Sequence, residues 1–212
     1  MDAEATLMIR SLFPTDIYLE KLRTRDSGKF IRQLVSEARM FQASDPEGLK
    51  WSRKNYPAGY TSYSSITNLP FRSSGFERLK KWIDGHVGKY ADHLQMDLNG
   101  GCLEMTTCWI NIMGRNSHHS FHIHPLSAIS GTFYLQVPKG SGAFKIEDPR
   151  LGFFMGSPPR KAPAQERNQR FIDIRPEPGT LLLFESWTKH EVAANLSEQE
   201  RISISFNYDW IR

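Results

Sequence analysis

Apolar residues recur at helical spacing twice in the first half of the chain. Phe30, Ile31, Leu34, Val35, Ala38 and Phe41 form one i, i+3/4 stripe, which runs into the turn-like Asp45-Pro46-Glu47-Gly48. Phe76, Leu79, Ile83, Val87, Tyr90, Ala91 and Leu94 form a second, with Ser74 and Glu77 spaced as a capping box at its start. Both patterns predict amphipathic helices that cover another layer. Between them, the Tyr-rich and polar stretch from Asn55 to Phe71 has no period and reads as a long surface segment of the kind that borders sites.

From about Leu103 the pattern shortens to β-type runs punctuated by Gly and Pro. The runs are 103–112, 120–124, 131–137, 143–148, 171–175, 180–185, 191–194 and 201–208. Eight short strands predict a sandwich, jelly roll or small barrel, so the chain reads as mainly β with a helical cover (α+β). The expected organisation is one domain, 1–212, with helical support and a polar loop in 1–100 and the β core in 101–212. The interval 150–170 carries several Pro and basic residues without a period, and reads as a loop or lid over the barrel mouth.

Composition narrows the class. Thirteen Phe, seven Tyr and five Trp are too many aromatics for a disordered polymer. No apolar run approaches the roughly 18–20 residues of a membrane span. The start, MDAEATLMIRSLFP, lacks the basic, apolar pattern of an export signal. Two cysteines, Cys102 and Cys108, exclude a disulfide framework and a Cys-rich zinc module, and they suit two buried reduced thiols in the cytoplasm. The net charge of +4, with no Lys/Arg block longer than two, is mild for a nucleic-acid binder and slightly favours an acidic ligand or substrate. Exposed jelly-roll edges are compatible with a homodimer.

Chemistry concentrates in histidine. Four of the seven lie in HHSFHIH at 118–124. On a strand His122 and His124 share a face, because side chains alternate with period two. Such a pair is either a bidentate metal site or a surface pair. A lone His190 follows the apolar strand TLLLFE. In RISISFN, Ile202, Ile204 and Phe206 face one way, and Arg201, Ser203, Ser205 and Asn207 the other. That polar face is either a solvated edge or the lining of a small cavity where a guanidinium grips a carboxylate.

These residues together resemble the 2-oxoglutarate/Fe(II) oxygenase superfamily. There a double-stranded β-helix carries His-x-Asp/Glu, a distal His, and an Arg or Lys about ten residues further on. His122-Ile-His124, His190, and Arg201-x-Ser203 eleven residues later match that order. Tyr134-Leu135 is similar to the Tyr-Leu pair of prolyl-hydroxylase-like members. Trp109-Ile-Asn111, HIHPLSAISGTFYLQVP, EDPR and LLLFESWTKH…ERISISFN resemble a bacterial and phage family of about 200-residue oxygenases. The resemblance implies a cupin-like double-stranded β-helix behind N-terminal helices. It also implies Fe(II) on His122, His124 and His190, with 2-oxoglutarate and O2 as cosubstrates. Arg201, Ser203, Tyr134 and Asn111 would bind the cosubstrate. The implied reaction is hydroxylase-type oxidation coupled to decarboxylation of 2-oxoglutarate to succinate.

One position departs from the pattern: His124 stands where the superfamily has its metal carboxylate. Two His and a carboxylate leave Fe(II) at +1, whereas three neutral His leave +2, which dianionic 2-oxoglutarate would neutralise. Three-His iron also occurs in cupin dioxygenases that use no 2-oxoglutarate, so that reading stays open, as does a non-catalytic jelly roll binding a small ligand. Asp148 or Glu147 could complete a carboxylate triad, although EDPR reads as a turn. His118 and His119 read as rim loop residues, Phe184 and Trp187 as core, and His86 and His93 as bystanders on the second helix. Ser130 is expected to point into the barrel.

Overall fold

A computed structural model describes residues 9–212, so most of the stretch that argues against export lies outside the described residues. The helices are α1 (Ser27–Ala43), α2 (Pro46–Asn55) and α3 (Ser74–His93). The strands are β1 (Tyr18–Lys21), β2 (Gly59–Thr61), β3 (Cys102–Met113), β4 (His119–His122), β5 (Ile129–Gln136), β6 (Phe144–Glu147), β7 (Phe171–Ile174), β8 (Thr180–Glu185), β9 (His190–Val192) and β10 (Arg201–Ile211). They form a six-stranded sheet, β1-β8-β5-β10-β3-β2, and a four-stranded sheet, β4-β9-β6-β7. All neighbours within each sheet pair antiparallel.

Alternation gives the large sheet two different faces. Ile110, Ile112, Phe133, Leu181, Leu183, Ile202, Ile204 and Phe206 point outward into one apolar cluster with the stripes of α1 and α3, including Phe30, Leu34, Phe76, Leu79 and Ile83. The opposite face looks at the small sheet. There Met113, Tyr134, Leu182 and Phe184 meet Phe144, Ile146 and Val192 in a second cluster, joined by Tyr56 from the end of α2. The helices therefore brace the large sheet from behind and leave the space between the sheets for polar chemistry. This is the expected jelly roll.

Several local expectations are corrected. The first helical stretch ends before Asp45-Pro46-Glu47-Gly48 as expected, but that tetrapeptide caps and starts α2 rather than forming a free turn. Asp45 Oδ1 accepts from Gly48 N at 2.9 Å, and Pro46 takes the first turn, where its missing N–H costs nothing. The buried Asp45 also accepts from the Tyr60 and Ser65 hydroxyls, at 2.8 and 2.5 Å, which fastens α2 to the Tyr-rich segment. The cap of α3 is Ser73, one residue earlier than expected. Its Oγ accepts from Gly75 N (3.0 Å) and Phe76 N (3.3 Å), while Glu77 pairs with Lys81 one turn along. Two short edge strands, β1 and β2, come from the first hundred residues. Cys108 is buried but Cys102 is exposed, because β3 runs past the body of the sheet and its pairing with β10 shifts register near Asn207. Trp187 is 45% exposed rather than core, since it sits in the tight turn between β8 and β9.

Candidate active site

Pairing of β4 with β9 sets His122 directly opposite His190. His124 lies two residues beyond the end of β4, so strand parity does not hold it. Its backbone N–H donates to Ser186 O at 2.9 Å, just after β8, and this turns the ring toward the other two. Ring centroids lie 4.4 Å apart for His122–His190, 5.3 Å for His122–His124 and 5.2 Å for His124–His190. One ligand nitrogen from each ring falls within 4.8 Å of the others, close enough to share one ion.

Each ring is anchored through Nδ1. His122 donates to Ser120 O at 2.7 Å, His190 to Thr188 O at 2.8 Å, and His124 to the side-chain Oδ1 of Asn207 at 2.6 Å. With the proton fixed on Nδ1, Nε2 keeps its lone pair in all three, which is the tautomer a metal needs. Phe184 (4.6 Å between centroids) and Phe144 (4.7 Å) pack on His190 and keep water from that side. Neither expected carboxylate joins the cluster, because both are held elsewhere. Asp148 pairs with Arg150 at 2.8 Å and Glu147 with Lys189 at 2.8 Å.

Arg201 opens β10 opposite Met113, with 2% of its surface exposed. Nη1 donates to Met113 Sδ at 2.9 Å, and the guanidinium lies 5.0 Å from the Tyr134 ring centre. Nε and Nη2 have no partner, nor does the Tyr134 hydroxyl. Leaving a buried cation unpaired costs several kcal/mol, so this pocket is built for an anion. Ser203 and Asn111 oppose each other across β10 and β3, both buried. Asn111 donates through Nδ2 to Ser205 Oγ at 3.0 Å and leaves Oδ1 unpartnered. Arg201, Ser203, Tyr134 and Asn111 thus share the inner face of the large sheet with the expected polarity. Bare imidazole nitrogens suit a borderline divalent cation, and unpaired guanidinium and phenol donors suit a carboxylate beside it.

Residues 107–207 match a family model described as "Putative 2OG-Fe(II) oxygenase". That segment holds the three histidines and all four pocket residues. It is similar to the 2-oxoglutarate/Fe(II) oxygenases. Solved structures share the fold. A prolyl-4-hydroxylase from Pseudomonas putida is 15% identical, with 93% of this chain and 94% of that one covered and a TM-score of 0.64. The α-ketoglutarate-dependent epimerase SnoN of nogalamycin biosynthesis is 14% identical over 92% of this chain and 76% of that one, at 0.63. HygX from Streptomyces hygroscopicus, solved with nickel and 2-oxoglutarate bound, is 15% identical over 92% and 83%, at 0.59. None of the curated proteins matches the chain.

Three features of the site are not evident in the sequence. His119 is no rim loop residue: it lies on β4, its ring stacked on Tyr56 (4.5 Å, 19°) and edge-on to His122 (6.0 Å). Tyr56 is buried in the inner cluster although it comes from the helical half. Asn207 links His124 to Ser130, whose hydroxyl donates to Asn207 Oδ1 at 2.8 Å and meets Ser186 Oγ at 2.7 Å, so Ser130 points inward as expected. By contrast His86 is bonded to the Tyr18 hydroxyl at 2.8 Å and His93 contacts Asp16, both away from the site. Asn207→Ala should weaken Fe(II) or Co(II) binding roughly 10–100-fold, as loss of an outer-sphere partner to a ligating His does, with titration of the metal as the readout.

Burial sets the charge of the rings. It lowers His190 to about 3, with His122 adding repulsion, and lowers His124 to about 4 against the opposing Asn207 bond. His119 falls to about 3 for the same first reason, with His122 and Arg201 next. His119, His124 and His190 are therefore neutral at pH 7, so protons do not compete with a metal at His124 or His190. For the metal-free protein the sign follows directly. The unfolded chain binds protons near pH 6.5 and the folded one only near 3–4, so stability falls as pH drops through that window. Thermal midpoints of metal-free protein should decline steadily from pH 6.5 to 4, and added metal should raise them most at the upper end.

Proposed function

We propose that His122, His124 and His190 hold one Fe(II), that Arg201 with Tyr134 holds the distal carboxylate of 2-oxoglutarate, and that the enzyme oxidises a substrate C–H bond by hydroxylase-type chemistry. The single observation that carries this reading is the buried, unpaired Arg201 on the inner face that also supports the three-imidazole cluster. Bound iron, with 2-oxoglutarate and O2, supplies the oxidising power and the decarboxylation that gives succinate. The chain's own part is to bind and orient. Nδ1 anchors fix the rings, Phe144 and Phe184 exclude water, and Arg201 fixes which end of the 2-oxo acid points inward.

Charge explains why a site without a carboxylate can still take this cosubstrate. Three neutral imidazoles leave Fe(II) at +2, and the dianion cancels it. A cupin-type site that ignores 2-oxo acids would have no use for a buried guanidinium with free donors. A silent ligand-binding jelly roll would have no use for three rings tautomerically set to present Nε2.

We also read the substrate as acidic. The 150–170 loop carries Arg150, Arg160, Lys161, Arg167 and Arg170 against a single Glu166, and three of those guanidiniums lie 5.6–5.7 Å from the Phe154 ring centre. A cytoplasmic location fits two free cysteines, and among the described residues no helix is long and apolar enough to cross a membrane. The test of function is aerobic incubation of iron-loaded protein with 2-oxoglutarate. Succinate should form in proportion to enzyme, and should form faster when an acidic substrate is present. No succinate from fully iron-loaded protein, with or without candidate substrates, would overturn the reading.

A further inference from the structure

Tyr56 reaches the anion pocket from outside the β core. It follows the last turn of α2, yet it is 4% exposed and lies in one buried cluster with Met113 and Tyr134, both of which touch Arg201. Its hydroxyl is buried without a hydrogen-bond partner. The ring is held firmly, by the stack on His119 and by Gly59, where a Cβ would sit 2.7 Å from the Tyr56 ring. The phenol also stays protonated, because burial pushes its pKa up to about 12, opposed by Ser117 and Arg201.

The donors around Arg201 can be counted. Nε and Nη2 of Arg201 and the Tyr134 and Tyr56 hydroxyls are four buried polar atoms without a hydrogen-bond partner, as is Ser117 Oγ next to Tyr56. One carboxylate offers about four lone-pair sites. A guanidinium fork (Nε–H and one N–H of Nη2) with the Tyr134 hydroxyl would fill three of those sites and leave one that the Tyr56 hydroxyl can fill.

Resting on the proposed use of 2-oxoglutarate, we propose that Tyr56 is a cosubstrate-binding residue: its hydroxyl donates to the carboxylate paired with Arg201, and the stacked His119 ring holds it in place. The selectivity of the pocket for a dicarboxylate over a simple 2-oxo acid then depends on a side chain from the helical half, outside the segment that carries the rest of the site.

The test is an anaerobic titration of Fe(II)-loaded protein with 2-oxoglutarate and, separately, with 2-oxopentanoate, which keeps the chelating end and lacks the distal carboxylate. Tyr56→Phe keeps the ring and should weaken 2-oxoglutarate binding about ten-fold or more, as loss of a hydrogen bond to a charged group does. It should leave 2-oxopentanoate binding and Fe(II) affinity unchanged. His119→Ala, which frees the Tyr56 ring, should lower the ratio of the two affinities in the same direction, and it serves if Tyr56→Phe does not fold. Wild-type protein that binds 2-oxoglutarate, together with an unchanged ratio in the variant that folds, overturns this inference alone. Wild-type protein that binds no 2-oxoglutarate overturns the function beneath it as well.

Discussion

Arg201→Ala is expected to lose 2-oxoglutarate binding by at least a hundred-fold while keeping its metal. Among the described residues the guanidinium is the one buried cation of the inner face, and its free Nε and Nη2 form a fork that matches a carboxylate. Removing one partner of a buried ion pair costs about 3–5 kcal/mol, which is more than two decades in Kd. Metal affinity should stay within about two-fold, because no imidazole is anchored by Arg201. A purely structural arginine behaves differently. Its loss would lower the thermal midpoint of the unliganded protein, whereas removal of an unpaired buried charge should cost that state little beyond side-chain packing. Arg201→Lys separates charge from shape: it should recover part of the affinity, since a lysine supplies the charge but no planar fork. Calorimetric titration of the metal-loaded variants under anaerobic conditions gives all three answers.

His190→Ala should lose the metal. His190 is the most buried of the three rings at 3% exposure, and it bridges the two pairs formed with His122 and His124. Losing a ligand outright should exceed the roughly 10–100-fold that loss of an outer-sphere partner costs, and succinate formation should fall below detection. Part of the change is mechanical, because the ring packs between Phe144 and Phe184 and its removal leaves a cavity. The control is therefore the far-UV spectrum and thermal midpoint of the metal-free variant, which should remain folded. His93→Ala makes the contrast. His93 is solvent-exposed on α3, and its removal should change neither metal content nor succinate yield.

Much of this site can be read from the chain because it is built on strand alternation. Arg201, Ser203, Ser205 and Asn207 share a face by parity alone, and their apolar neighbours mark the other face as core. The His-x-His spacing was legible in the same way, although the structure brings His124 in by its bond to Ser186 after the strand has ended. What escaped is what parity misstates. His119 and His122 are three apart, which on a regular strand puts them on opposite faces. The register shift of β4 against β9 falls between them and brings both rings together. Tyr56 is invisible for a different reason: its place in the inner cluster depends on contacts far away in sequence, which no local pattern encodes. The start of α2 was ambiguous at the level of chemistry, since Asp-Pro opens a turn as readily as it caps a helix. Trp187 misled through its apolar neighbours, which continue a core pattern into a turn that solvent reaches.

The most direct measurement is an anaerobic titration of metal-free protein with Fe(II) followed by 2-oxoglutarate, watched for the weak visible charge-transfer absorption that chelation of the 2-oxo acid produces. The band should appear only when both are present and saturate at one iron and one 2-oxoglutarate per chain. It should be absent from the His190→Ala protein at any metal level, and should need at least a hundred-fold more 2-oxoglutarate in Arg201→Ala. Stoichiometric iron with no band at saturating 2-oxoglutarate, or no stoichiometric iron at all, would contradict the account.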